Sequence, residues 1–183
     1  IGPFEFEVSA NSFFQTNTPI AEKMIAYLLE NLDLHEDSRV IELYAGVGLF
    51  SAFIAPRVGH LTAVESSGSA CHDFTINLGD AENVVLYEAR TEEVVPTLNI
   101  EMDLLITDPP RSGWANEVHD ALYKLMPLQI CYISCDPATL ARDARKILKK
   151  GYRLVSVQPF DQFPHTSHIE SISIFELILE EGE

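Results

Sequence analysis

Residues 39–50 read "RVIELYAGVGLF". Arg39 to Leu43 is a short apolar run of strand type, Gly46 and Gly48 interrupt it, and a second apolar run opens at Leu49. Strand, glycine turn and helix in that order form the first half of a βαβ unit, and the pattern repeats outward from it. Upstream, Thr18-Pro19 has the form of a helix N-cap with proline at the first helical position. Ile20, Met24, Tyr27, Leu28 and Leu32 then follow at helical spacing. Downstream, strands are expected at 60–64, 84–87, 104–107 and 128–134. Helices are expected at 49–56, 69–78, near Glu92, at 115–125 and at 138–149. Two further strands, 153–158 and 171–179, have no helix between them and are expected to pair antiparallel as a closing hairpin. The spacing of Phe4, Phe6 and Val8 also has the alternation of a strand. The whole reads as one α/β domain over residues 1–183, with a mostly parallel sheet covered by helices on both faces.

In such sheets ligands bind at the carboxyl ends of the strands. The glycines at 46 and 48 allow a tight turn and close approach of backbone to ligand. Glu65, nineteen residues past Gly46, ends the next strand, where a carboxylate can hold a ribose diol. A nucleoside cofactor is the functional reading, and a purely structural turn the plain one. Ser51 occupies the place of the third glycine of a dinucleotide fingerprint, and Glu42 precedes the loop with an acid that suits an ammonium group better than a pyrophosphate. Both favour S-adenosylmethionine over NAD.

Composition narrows the class. The chain has 183 residues, 46% of them hydrophobic, enough for a core without staples. No apolar run approaches the roughly 20 residues that span a bilayer. Three cysteines, Cys71, Cys131 and Cys135, lack metal-ligand spacing, and their odd number points to a reducing cytosol. A start at Ile1 in place of methionine is read as that of a domain within a longer protein. The formal charge of −16 opposes nucleic-acid binding, yet Arg142, Arg145, Lys146 and Lys149 share one helix face. That face is either a solvated surface or a phosphate-facing stripe.

Three more strand ends carry chemistry. "TDPPR" (107–111) locks an extended turn through two prolines and turns Asp108 outward, to present a planar base with a carboxylate or simply to cap a turn. "YISCDPATLARD" (132–143) ends a strand at Cys135 just before a helix. Alternation puts Ile130, Tyr132 and Ser134 on one face, and Cys131, Ile133 and Cys135 on the other. Cys131 and Cys71 read as packing residues. The helix N-terminus is expected to lower the Cys135 pKa, with Asp136 acting against this if ionised and close. In "HTSHIE" (165–170) the two histidines face opposite sides of an extended backbone. Glu170 is therefore read as a base rather than a metal ligand.

These blocks together resemble the RNA 5-methyluridine (uracil-5) methyltransferase family. "SANSFFQTN", "LYAGVGLF", "DPPRSG", "SCDPATLARD" and "PFDQFPHTSHIES" are similar to its signatures through nearly the whole chain. The resemblance implies a Rossmann-like class I fold that uses S-adenosyl-L-methionine, with tRNA or rRNA as partner in the cytoplasm. It implies Cys135 as nucleophile and Glu170 as base. Cofactor contacts are implied for Gln15, Tyr44, Gly46, Gly48, Glu65 and Asp108, and substrate contacts for Phe13 and Arg111, with no metal. Family members carry N-terminal RNA-binding parts that this chain lacks. Arg90 stands where the family has a short polar residue near the adenine. A domain of the same fold that binds cofactor or RNA without turnover is the alternative.

Overall fold

The computed structural model describes residues 1–166 and 168–179, and everything below concerns these residues. Seven strands form one sheet: β1 (Arg39–Leu43), β2 (His60–Glu65), β3 (Val84–Glu88), β4 (Leu104–Thr107), β5 (Gln129–Ser134), β6 (Tyr152–Phe160) and β7 (Glu170–Leu177). Their order is β3-β2-β1-β4-β5-β7-β6. The first five are mutually parallel, and β7 inserts antiparallel between β5 and β6. The closing pair is thus antiparallel as expected, with its second strand on the inside and its first at the edge.

Six helices cover the sheet: α1 (Thr18–Asn31), α2 (Leu49–Ile54), α3 (Gly68–Leu78), α4 (Thr91–Val94), α5 (Asn116–Leu125) and α6 (Pro137–Leu148). The alternation of the strands divides the core in two. Val40, Ala63, Ile106, Cys131, Ile133, Ile172 and Ile174 meet α1, α2 and α3 through Met24, Leu28, Phe50 and Phe74. Ile41, Val64, Leu105, Ile130, Tyr132 and Phe175 meet the opposite layer through Val94, Leu122 and Ile147. The central strands β1, β4 and β5 are buried at nearly every position because both of their faces are covered.

Two local readings change. The cap of α1 is Asn17, whose side chain makes no bond to the helix and reaches the Gln162 carbonyl at 3.4 Å. The Phe4–Val8 segment is not a strand, because it meets no sheet edge. Its backbone bonds a side chain instead: Glu7 N–H donates to Asn77 Oδ1 at 2.7 Å, and Asn77 Nδ2 donates to Glu7 O at 3.0 Å. Phe4 stacks edge-on against Phe53, with ring centroids 4.8 Å apart. No helix among the described residues is long and apolar enough to cross a membrane.

Candidate active site

The carboxyl ends of β1, β2, β4 and β5 converge on a cavity of about 370 Å³. Phe13, Gln15, Tyr44, Gly46, Glu65, Asp108, Arg111, Cys135 and Glu170 line it, together with Phe14, Phe50, Phe163 and the two prolines of 109–110. Gly48 does not. It precedes α2 in a left-handed conformation (φ 87°), and a Cβ there would come within 2.3 Å of Leu78 Cδ1 and 3.0 Å of Phe74 Cδ2. Its missing side chain serves the packing of α2 against α3.

At the end of β2, Glu65 is held by three backbone amides. Gly46 N–H donates to Oε2 at 2.9 Å, and those of Ser66 and Ser67 to Oε1 at 2.7 Å each. The glycine turn and the acid at the end of β2 therefore form one unit, with a lone pair left on Oε2. Tyr44 follows β1 at φ 60°, an unusual conformation for a residue with a side chain, and its hydroxyl donates to Glu92 Oε1 at 3.3 Å. Glu42 is buried, accepts a hydrogen bond from Ser51 Oγ, and has its pKa pushed up to about 8 by burial; it is not on the cavity wall. The acid expected to suit an ammonium group therefore lies behind the cavity wall. Arg90 is also off the wall, 3.7 Å from Glu92.

Register brings together the two residues expected to act as nucleophile and base. In the β5–β7 ladder Ser134 pairs with Ser171, and Ser171 Oγ donates to Ser134 O at 3.3 Å. One step further along the same antiparallel register, Cys135 lies opposite Glu170. Residues opposed in this way point to one face, with Cβ atoms about 4.5–5.5 Å apart. That face is the one carrying Cys131, Ile133, Ile172 and Ile174, so the alternation read in β5 holds.

Electrostatics at the pair differ from expectation. The Cys135 thiol is raised, not lowered: burial dominates, followed by the charges of Glu170 and Asp108, with Arg111 opposing them. Asp136 is not among these causes. Its carboxylate caps α6, accepting from Thr139 N–H at 2.7 Å, and this bond holds its own pKa down. Burial, helped by the Asp108 charge, pushes Glu170 up to about 8, and burial pushes Asp108 up to about 7. Glu170 Oε1 is buried without a hydrogen-bond partner among the described residues. Cys71 and Cys131 are free and buried, as packing residues should be.

Sequence reasoning missed the support beneath the site. Asp143, wholly buried on α6, accepts from Trp114 N–H (2.9 Å), the Tyr132 hydroxyl (2.7 Å) and Arg142 Nε (2.9 Å), with His119 Nε2 at 3.2 Å. Arg142 Nη2 donates to Ser112 O at 2.6 Å, and Thr139 Oγ1 to Arg111 O at 2.9 Å. Lys146 Nζ donates to Asn116 Oδ1 at 3.0 Å. Two of the four basic residues on this face are therefore committed to fastening the 111–116 loop. A second support is Asp73 on α3, which accepts from Ser9 N–H (2.8 Å) and Ser9 Oγ (2.6 Å). It anchors the segment that carries Phe13 and Gln15. The only sequence signal for either support is an acid within a helix whose partners lie far along the chain.

A seven-stranded sheet of this order, with a glycine turn after β1 and an acid ending β2, defines a class I S-adenosylmethionine-dependent methyltransferase fold. The fibrillarin of Aeropyrum pernix, solved with S-adenosyl-L-methionine, shares the fold at 17% identity (TM-score 0.65, covering 82% of this chain and 74% of that one). The tRNA (uracil-5-)-methyltransferase family profile matches residues 3–177, and the chain belongs to this family, whose cofactor is S-adenosyl-L-methionine. An uncharacterized RNA methyltransferase of Chlorobaculum tepidum is 36% identical over 96% of this chain and 38% of its own length. One from Thermotoga maritima is 35% identical over 91% and 38%. The Pyrococcus abyssi tRNA (uracil-54, C5)-methyltransferase, solved with S-adenosyl-L-homocysteine, superposes with a TM-score of 0.76 at 30% identity, covering 90% of this chain and 40% of that one. The chain thus spans about two fifths of the length of these relatives.

Proposed function

We propose that this chain is the catalytic domain of an RNA uracil-5 methyltransferase, acting on a uridine of tRNA or rRNA through a covalent cysteine adduct. The observation that carries the reading is the opposition of Cys135 and Glu170 on the wall of a cavity that also holds the Gly46–Glu65 unit. The residues fit the cofactor: Glu65 Oε2 keeps a lone pair for a ribose hydroxyl, Gln15 and Tyr44 line the same cavity, and Gly46 permits close approach. When bound, S-adenosyl-L-methionine supplies an electrophilic methyl group.

Carbon 5 of uracil is a weak nucleophile, and a thiolate at carbon 6 corrects this. The Cys135 proton leaves to Asp108, one of the two carboxylates that act on the thiol, and returns to the sulfur at the end, so Glu170 stays unprotonated for the later step. Sulfur then bonds to carbon 6, the 5,6 double bond opens, and its electrons reach the carbonyl oxygen at position 4 as an enolate, activating carbon 5. After methylation, Glu170 removes the hydrogen on carbon 5. The double bond re-forms and the sulfur leaves as thiolate, so protons and electrons balance. A carboxylate pushed up to about 8 is a stronger base than an ordinary one, as this step requires. The target base must leave its stack to reach Cys135, and Phe13, 68% exposed on the rim, offers it an aromatic face. Arg111 adds a cation beside it. With a charge of −16 on this chain, most phosphate contacts fall to RNA-binding parts of the protein outside it.

The test uses the full-length protein. Cys135→Ala should abolish methyl transfer and any covalent adduct. RNA carrying 5-fluorouridine has no hydrogen at carbon 5 for Glu170 to remove, so it should trap the wild type as a stable adduct. Wild-type activity in Cys135→Ala would sink the mechanism.

A further inference from the structure

Beside the cavity, two glutamines far apart in sequence are joined. Gln162 Nε2 donates to Gln15 Oε1 at 2.9 Å, with both side chains buried. Asn17 Nδ2 holds the Gln162 backbone carbonyl at 3.4 Å, fastening the same two segments a second time. Gln15 lines the cavity, and its carbonyl oxygen is taken by Gln162. Its Nε2 makes no hydrogen bond among the described residues and is left for the cavity. Gln162 Oε1, in contrast, is buried without a partner among the described residues, a cost that an apolar side chain of similar length would avoid. A buried amide kept at such a cost calls for a reason.

We infer that Gln162 is a positioning residue that fixes the Gln15 amide so that it offers N–H donors, and not a carbonyl, to the carboxylate of the cofactor's amino-acid end. The inference rests on the cofactor reading above, not on the covalent chemistry at Cys135. An amide free to turn would present either its donor or its acceptor side. With its carbonyl taken by Gln162, the Gln15 amide presents donors alone, which pair with a carboxylate and not with an ammonium group. The orientation is set from outside the cavity wall, by the loop between β6 and β7 that also brings in Phe163.

The experiment measures S-adenosyl-L-homocysteine binding to the full-length protein by calorimetry, beside thermal unfolding and steady-state kinetics. Gln162→Met frees the Gln15 amide and removes the buried orphan. Its affinity for S-adenosyl-L-homocysteine should fall on the order of tenfold, the size of one hydrogen bond to a charged group. Its unfolding midpoint should stay level or rise. The effect should appear in the KM for S-adenosyl-L-methionine, with kcat within about twofold. Gln162→Glu, once ionised at alkaline pH, can only accept, so it turns the Gln15 carbonyl to the cavity and should weaken binding further there. 5′-Methylthioadenosine, which lacks the amino-acid end, should bind wild type and Gln162→Met alike. Unchanged S-adenosyl-L-homocysteine affinity in Gln162→Met would overturn the inference, as would an equal loss for 5′-methylthioadenosine. A loss of affinity that tracks a loss of thermal stability would also overturn it, by making Gln162 merely structural. A wild type that binds no S-adenosyl-L-homocysteine would defeat the cofactor reading and this inference together. An inactive Cys135 adduct assay with normal binding would defeat only the chemistry.

Discussion

Replacing Glu170 by glutamine separates what this carboxyl does for catalysis from what it costs the fold. The side chain is 3% exposed, and burial raises its pKa from 4.5 to about 8. Because the folded value lies above the unfolded one, the group favours folding fully below pH 4.5, and that advantage is lost as pH rises to 8. Each unit corresponds to about 1.4 kcal/mol. Relative to a non-titrating amide, wild type should therefore lose about 3 kcal/mol between pH 4 and pH 7, and about 5 kcal/mol by pH 9. Urea unfolding of wild type and Glu170→Gln across this range reads the difference directly. Any pH-independent effect of the amide shifts the whole curve and leaves the trend intact. The variant should gain on wild type by roughly these amounts, while methyl transfer falls about 10²–10⁴-fold for want of a base. Adduct with RNA should accumulate, because the last proton cannot leave. Stability curves that run parallel from pH 5 to 9 would refute the claim that burial raises the Glu170 pKa.

Other substitutions test the supports. Gly113 sits at φ 71° with Asp143 Oδ2 2.2 Å and Thr139 Cγ2 2.4 Å from where a Cβ would stand, so Gly113→Ala should cost roughly 2–4 kcal/mol in chemical denaturation. Asp143→Ala strands Tyr132, Trp114 and Arg142 without their acceptor, and a loss of roughly 3–5 kcal/mol is expected by the same assay. Asn77 joins Glu7 to the Val47 carbonyl of the glycine turn (2.9 Å). Asn77→Ala should therefore weaken S-adenosyl-L-homocysteine binding several-fold in calorimetry and speed proteolysis near the first residues; unchanged affinity would show that the turn holds its shape alone. The acid limb of the kcat/KM profile should rise toward pH 8, since both the base and the thiol must ionise.

Periodicity alone made the architecture legible. Runs such as Val40–Leu43 and Leu104–Thr107 are apolar throughout because both faces of a parallel sheet are covered, and the helices between them follow from a change of period. The strand ends were legible for the same reason, and with them Gly46, Glu65, Asp108 and Cys135. Local pattern misled at Phe4–Val8, where alternation exists but no sheet edge is available to pair with it. It also misled at Cys135, where helix proximity predicted a lowered thiol pKa and burial beside two carboxyls raises it.

The tertiary structure decided the rest through long-range pairing. Cys135 and Glu170 meet only because β7 enters antiparallel beside β5 in a register that opposes Ser134 to Ser171; a shift of one residue would turn Glu170 to the other face. Asp143 looks like one more charge on a polar helix until Trp114, His119 and Tyr132 arrive from other elements to bury it. Gln15 and Gln162, 147 residues apart, become a pair in the same way. Residue type and spacing determine which groups stand at the ends of strands. Strand order and register decide which of them face one another, and local sequence carries no record of that.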